Sequence, residues 1–249
     1  VQRQAEKFKF IRLHRITEDH PRNFAAQVHA INAGLALLKD LECNLIGNLD
    51  ADVSFEPNYF SELLEKFNQD PELGLAGGSI QEQVGSVFLP RKGNIPTSVP
   101  HAVQCFRRES LEELGGRYMP FPYGGPDWYA EVFLRMKGWR VQSFSDLKVF
   151  HHRPTGAAAG LLKTSYREGL MDYSMGSHPV FEVFRVGKRL PVKPFVVGAL
   201  VRLFSFIMAS CRREQKYVPD EFIKFLRNEE MEKVWSFLRG EGHRSLPGS

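Results

Sequence analysis

The stretch from Cys43 to Phe55 constrains this chain most. Cys43-Asn44-Leu45-Ile46-Gly47-Asn48-Leu49 is an apolar run of strand length with small polar residues interleaved, and it reads as a buried strand. Asp50 and Asp52 follow where that strand should end. Alternate residues of an extended chain point the same way, so the two carboxylates can converge, and they then repel unless a cation or proton separates them. A hard divalent ion suits such a pair, because Mg²⁺ takes one or two protein carboxylates and completes its shell with substrate phosphate. A polar strand exit that caps a helix opened by Pro57 accounts for the same residues.

The elements around this stretch point to an α/β fold. Phe8 to Leu13 alternates apolar and basic residues, which predicts a strand. Phe24, Val28, Ile31, Leu35 and Leu38 then recur at helical spacing and predict a helix from about Arg22 to Leu41, with Gly34 inside it explained by close approach to a sheet. Behind Pro57, the residues Phe60, Leu63, Leu64 and Phe67 predict a second helix and its inward face. Strand, helix, strand, helix argues for a mostly parallel sheet with helices packed on it. Leu73 to Gly78 reads as the next strand, Glu82 to Pro100 as a sheet edge and long loop, Val103 to Arg107 as a strand, and Glu109 to Leu114 as a short helix stopped by Gly115-Gly116.

A loop dense in Gly and Pro, Met119 to Pro126, delivers the chain to a third helix, Asp127 to about Lys137. Asp127 and Glu131 are four apart and share a face, beside an apolar face of Trp128, Val132 and Met136. A carboxylate in the first turn is favoured by the helix dipole, so Asp127 reads as a cap, and Glu131 can pair with Arg135. A glycine-rich loop before a helix start is also a way to place an acid in a cleft. Two short strands, Arg140 to Phe144 and Leu147 to Phe150, lead to His151-His152-Arg153. Imidazole is a common ligand for Mn²⁺-like ions, and Arg153 can offset phosphate charge; spacing does not decide which histidine would face such an ion.

The combined order of A-I-N-A-G-L, L-D-A-D with F-x-P-x-x-F behind it, V-x-C-F-R-R-E-S-L-E-E-L-G-G, G-G-P-D-W-Y-A-E-V-F-L-R-M-K-G-W and a strand ending in H-H-R resembles the family 2 glycosyltransferases of GT-A fold over roughly residues 5–155. The resemblance implies a GT-A-type nucleotide-diphospho-sugar transferase fold. It implies that Asp50 and Asp52 hold Mg²⁺ or Mn²⁺ on the donor diphosphate, that Asn32 and Arg153 join them in donor binding, and that His151 or His152 completes the metal site. It places Asp127 at the catalytic acid of the family's E-D signature, whose Glu is Pro126 here, so Glu131 is the acid that would assist. The mechanism implied is inversion by single displacement, from a nucleotide-sugar donor, UDP-sugar favoured, to a hydroxyl of a saccharide or lipid-linked acceptor in polysaccharide or cell-envelope synthesis. By the same resemblance the chain reads as a partial catalytic domain, 1–155, lacking the first βαβ unit. Two rival readings stand beside it. A strand ending in D-x-D also resembles the first motif of haloacid-dehalogenase-type phosphatases, with Asp50 as nucleophile and Asp52 as acid, although no later G-D-x-x-x-D follows. A GT-A-like domain that binds glycan or serves as a scaffold without catalysis is the other.

Composition bears on partners and compartment. The 249 residues carry a net charge of +4, which suits an anionic substrate or a membrane surface and does not imply nucleic acid. Three dispersed cysteines, Cys43, Cys105 and Cys211, without C-x-x-C, indicate a reducing compartment. Residues 156–249 read as a helical, membrane-associating region. Lys163 to Gly187 lacks clear periodicity, whereas Phe195 to Cys211 is apolar except for Arg202 and two serines and is followed by Arg212, Arg213 and Lys216. Such a segment is short for a span and suits an interfacial or re-entrant helix at the cytoplasmic, inner face of a membrane, with a buried core helix as the alternative. Pro219 opens a last helix with Phe222, Leu226, Val234 and Leu238 facing inward.

Overall fold

In a computed structural model, which describes residues 2–16, 24–91, 93–153, 160–190 and 195–240, the elements in chain order are α1 (Gln2–Lys7), α2 (Phe24–Leu37), β1 (Leu45–Gly47), β2 (Val53–Phe55), α3 (Tyr59–Gln69), β3 (Leu73–Val84), β4 (Val87–Pro90), β5 (Cys105–Arg107), α4 (Arg108–Glu113), α5 (Pro126–Met136), β6 (Arg140–His151), α6 (Leu161–Ser174), α7 (Pro179–Arg189), α8 (Phe195–Cys211) and α9 (Asp220–Leu238). The strands form one sheet in the order β1-β5-β3-β6-β2, with β4 folded back on β3. The α/β architecture with flanking helices and a helical C-terminal region is present. The sheet itself is mixed rather than mostly parallel: among the described pairings β3 and β6 run parallel, and the rest are antiparallel. The cause lies in the connections. A parallel pair needs a crossover, and α4 and α5 supply one between β3 and β6, whereas the turn at Gly85 can only return β4 alongside β3.

The β3–β6 pair is the spine. Its register shifts between Gly78 and Ser79, opposite the segment from Phe144 to Lys148, so the two strands expected over 140–150 are one strand with an irregularity. Gly78 is required there, because a Cβ would meet the Tyr59 ring at 2.8 Å, and its N–H donates to the Tyr59 hydroxyl at 2.9 Å. That bond also fixes the rotation of α3. Its buried stripe is Tyr59, Leu63 and Phe67, while Phe60 and Leu64, expected inward, are exposed.

Each face of the sheet carries one apolar cluster. Tyr59, Leu63, Phe67, Ile80 and Val149 fill the α3 side. On the other side Leu75, Phe106, Tyr129, Val132 and Leu134 form a cluster that continues through Met175, Phe222, Ile223 and Leu226, so the C-terminal helices share a core with the sheet. Phe222 stacks on Tyr129 with centroids 4.9 Å apart, and Arg135 of α5 pairs with Glu229 of α9 at 2.7 Å.

Four further expectations are corrected. Phe8 to Leu13 is not a strand: α1 precedes it, the segment is irregular, and Phe10 is 83% exposed with no sheet neighbour to pair with. A Cβ on Gly34 would meet open space, so close packing does not explain that glycine. Lys163 to Gly187 contains most of α6 and α7, and Leu238 of α9 points to solvent. The predicted start of α2 at Arg22 lies outside the described residues.

Candidate active site

The strand exit after β1 is held by backbone pairing with residues 102–104. Asn48 N–H donates to Gln104 O at 2.8 Å and Asp50 N–H to Ala102 O at 3.0 Å, which extends the β1–β5 ladder beyond the strands. This places His101, in a single 3₁₀ turn over His101–Val103, against Asp50, with Nδ1 3.9 Å from Asp50 Oδ1. The Asn48 side chain donates to His101 O at 2.7 Å and fixes that turn.

Asp52 meets a different partner. Antiparallel pairing of β2 with β6 sets Val53 opposite His151, and His152 N–H donates to Asp52 O at 3.0 Å. Neighbouring residues of a strand face opposite ways. His151 therefore turns to the acid, its Nε2 3.5 Å from Asp52 Oδ1. His152 turns away, its Nε2 2.8 Å from Ser54 Oγ and its ring edge-on to Phe88. Arg153, 80% exposed, brings Nε to 3.9 Å from Asp52 Oδ2. Of the two candidate histidines, the structure brings His151 and not His152 to the acid.

Those two groups fit a divalent ion. Asp52 and His151 are partly open to solvent and are not joined by a hydrogen bond, and a carboxylate with an imidazole is a donor set that Mn²⁺ accepts. Among the described residues no three His, Cys, Asp or Glu side chains converge as a complete protein cage. An open site of one or two side chains suits an ion that takes its other ligands from water and phosphate.

The acids of α5 come next along the chain, after the glycine-rich loop. Gly124 and Gly125 both have φ near +90°, a backbone that glycine adopts freely, and Gly125 leads to Pro126 in the first turn. Asp127 sits half-buried in that turn. Glu131, one turn on, is 3% exposed, and its Oε1 accepts from Val99 N–H at 2.7 Å and Ser98 Oγ at 3.1 Å. Burial, reinforced by the charge of Asp127, pushes the Glu131 carboxyl up to about 8, against the lowering influence of Arg135 and the bond from Val99. Its carboxyl is thus spent on the 98–99 backbone behind the cleft.

One side chain joins both acidic poles. Tyr118 is fully buried and donates from its hydroxyl to Gln104 Oε1 at 2.6 Å, while its ring lies 5.6 Å from that of His101. Burial first, and then the charges of Asp127, Glu131 and Asp50, push its hydroxyl well above the usual phenol range. Tyr118 therefore lies within electrostatic reach of acids from both segments, Asp50 after β1 and Asp127 and Glu131 on α5. Asn32 braces it from α2: its amide donates to Tyr118 O at 2.8 Å and accepts from Tyr118 N–H at 2.9 Å, so this side chain is spent on backbone rather than facing the acids.

No family model matches the chain, and no curated protein matches it. Solved structures do. A mannosyltransferase, PcManGT from Pyrobaculum calidifontis, in complex with GDP-Man and Mn²⁺, is 15% identical with a TM-score of 0.49, over 96% of this chain and 68% of that one. GalNAc-T7, with UDP, GalNAc and Mn²⁺, is 15% identical with a TM-score of 0.42, over 77% of this chain and 45% of that one. Both likenesses are distant, and neither assigns this chain an activity.

What the arrangement can do follows from its own groups. A carboxylate, an imidazole and a guanidinium at the β2–β6 end can hold a cation and an anion side by side, and a further carboxylate, Asp127, sits half-buried in the first turn of α5. His101, Gln104 and Tyr118 are the members that sequence reasoning missed. The signal available was position: His101 begins the segment that ends in the C-F-R-R run already assigned to the sheet.

Proposed function

We propose that the chain is an inverting, metal-dependent glycosyltransferase that moves a sugar from a nucleotide-diphosphate sugar to a hydroxyl of a saccharide or lipid-linked acceptor. The observation that carries this reading is the open Asp52–His151 pair with Arg153 beside it, together with a second acid, Asp127, in the first turn of α5. Two acidic poles with different chemistry suit a transfer that needs one place for a diphosphate and another for a proton. The order of the D-x-D strand, the glycine-rich loop and the acid at a helix start supports the same assignment.

In this reading Asp52 and His151 hold Mn²⁺ or Mg²⁺, with Asp50 at the rim, and the bound ion supplies neutralisation of charge on the departing nucleoside diphosphate. Arg153, exposed and swinging beside Asp52, contacts the diphosphate directly. Asp127 takes the proton from the acceptor hydroxyl, a contribution of about 10²- to 10⁴-fold for a placed general base. Glu131, its carboxyl pushed up to about 8, pins Ser98 and Val99, so the role of base falls to Asp127. Asn32, through Tyr118, sets the floor between the two poles.

Calorimetric titration of UDP and of GDP, each with and without Mn²⁺, tests this. Metal-dependent binding that Asp52→Asn or His151→Ala loses, and that Asp127→Asn keeps while losing transfer, supports the assignment. Silence of both nucleotides in the presence of Mn²⁺ would remove it. A nucleotide-sugar screen on the binding-competent chain then identifies the donor, with a UDP-sugar expected.

A further inference from the structure

Helix α8 is packed inside out. Its inner face is made of Gly198, Ala199, Arg202, Ser205, Phe206 and Ala209, all buried, with Arg202 at its centre. There Arg202 is 5% exposed and donates to Glu182 at 3.0 Å, Asp172 at 2.5 Å and Glu168 at 2.5 Å. The outer face is Val196, Leu200, Phe204 and Ile207, spaced by four, four and three, and each is about half exposed. No charged residue interrupts this stripe. A helix facing water arranges itself the other way, charge outward and apolar residues inward. An apolar stripe presented outward, with the charge neutralised inside, marks a side that meets something other than water.

Charge decides which occupant suits it. Directly past the stripe, Arg212, Arg213 and Lys216 are all exposed, and Arg213 turns the chain with φ +51°. A row of cations at the end of an apolar face complements anionic headgroups above acyl chains, and Tyr217 beside them is a side chain suited to that boundary. Among the described residues no helix is long and apolar enough to cross a membrane, so the stripe fits a helix lying in the interface plane. The same end of α8 touches the site's support. Glu214 accepts from the Tyr123 hydroxyl at 3.5 Å, Arg167 donates to Tyr123 O at 3.3 Å, and a Cβ on Gly125 would meet Met171 Sδ at 2.9 Å.

We infer that the outer face of α8, with Arg212, Arg213 and Lys216, docks on an anionic lipid bilayer, which sets the loop before Asp127 beside that bilayer. The inference goes beyond the transferase reading, resting on it only where it speaks of the site; the lipid contact itself stands independently. Flotation with phosphatidylcholine vesicles, with and without phosphatidylglycerol, tests it on the chain and three double variants. Wild-type chain is expected to bind the anionic vesicles, weakening with salt. Arg212→Gln/Arg213→Gln should lose roughly 5-fold per charge, and Leu200→Glu/Phe204→Glu more than about 10-fold, since charge replaces apolar contact in the interface. Val84→Glu/Leu89→Glu, which alters exposed apolar residues of the β3–β4 hairpin instead, should bind as wild type. Equal binding by all four proteins, or none to anionic vesicles, would overturn the inference. So would a dimer in sedimentation equilibrium that Leu200→Glu/Phe204→Glu abolishes, because the face would then belong to a second copy. Nucleotide titration with Mn²⁺ on the same proteins reports an intact fold, and its failure in the wild type would strike the transferase reading while leaving the lipid result standing.

Discussion

Glu131→Gln separates a buried acid that keeps its proton from one that does not. In the unfolded chain the carboxyl titrates near 4.5; in the fold, desolvation and the neighbouring Asp127 raise it to about 8. Below the lower value both states hold the proton and the residue is neutral in the balance. Between the two values the unfolded chain releases a proton that the folded chain keeps, so stability falls as pH rises, by about 1.4 kcal/mol per pH unit. The interval is 8 − 4.5 = 3.5 units, which gives a loss on the order of 5 kcal/mol, complete once pH passes the folded value. Glutamine cannot release that proton, yet its Oε1 can still accept from Val99 N–H and Ser98 Oγ. The variant should therefore match wild type within about 1 kcal/mol at the acid end, and exceed it by several kcal/mol at the alkaline end. Urea unfolding midpoints of both proteins, taken at intervals from mildly acid to mildly alkaline pH, measure the divergence. Parallel curves would refute the argument, since a Glu131 that titrates normally is neither desolvated as placed nor a neutral anchor for the loop. Glu131→Ala serves as the contrast: it also lacks the titrating carboxyl but leaves Val99 N–H without its acceptor, so it should lie about 1 to 3 kcal/mol below Glu131→Gln at every pH.

The remaining expectations concern metal, proton and packing. Asp52→Asn should abolish the Mn²⁺ dependence of nucleotide binding, whereas His152→Ala should leave it, a contrast read by calorimetry that follows from the turn of the two histidines. Asp127→Asn should lower kcat by about 10²-fold or more with little change in nucleotide affinity, as expected for a lost base. Gly169→Ala should destabilise the C-terminal helices despite alanine's better helix propensity, because a Cβ would overlap the Arg202 carbonyl and the Ser205 hydroxyl; overpacking of this kind costs about 1 to 3 kcal/mol in thermal or denaturant melts. Arg202→Ala should cost about 3 to 5 kcal/mol, since it strands buried carboxylates without their cation.

Where chemistry is written locally, the sequence sufficed. The apolar run before Asp50, the period of α2 and the Gly-Gly-Pro entry to α5 each carry their element within a few residues, and each stands in the structure near its expected place. The positions of Asp50 after a strand and of Asp127 in the first turn of a helix were legible for that reason. Their companions were not. His101 reaches Asp50 because residues 48–50 continue the ladder with 102–104, a pairing that no local pattern announces. The choice between His151 and His152 is likewise a matter of register: Val53 opposite His151 settles it, and a slip of one residue would exchange them. Phe60 and Leu64 were misjudged because apolar spacing alone cannot weigh the bond from Gly78 N–H to the Tyr59 hydroxyl, which rotates α3 toward Tyr59.

The C-terminal helices escaped the pattern for a deeper reason, which is that α6 and α7 turn charge inward. Asp172, Glu182 and Glu230 are buried with Arg185 and Arg202, while Glu168 joins Arg202 and Arg189 at the edge. A rule that looks for apolar residues at helical spacing finds none of this. Burial, and then the charge of Asp172, raises Glu182 to about 7 against the lowering influence of Arg185 and Arg202. Ion pairs from Arg185 and Arg202 to acids of α6, α7 and α9 make an ionic layer that joins these helices to α8. With that layer on its inner side, α8 packs Phe206 and small residues around Arg202, while Val196, Leu200, Phe204 and Ile207 lie outside. The order of cause thus runs from the acids of α6 and α7, through Arg202, to an apolar surface on the far side of α8, and from Met171 and Arg167 of the same α6 to the loop that presents Asp127.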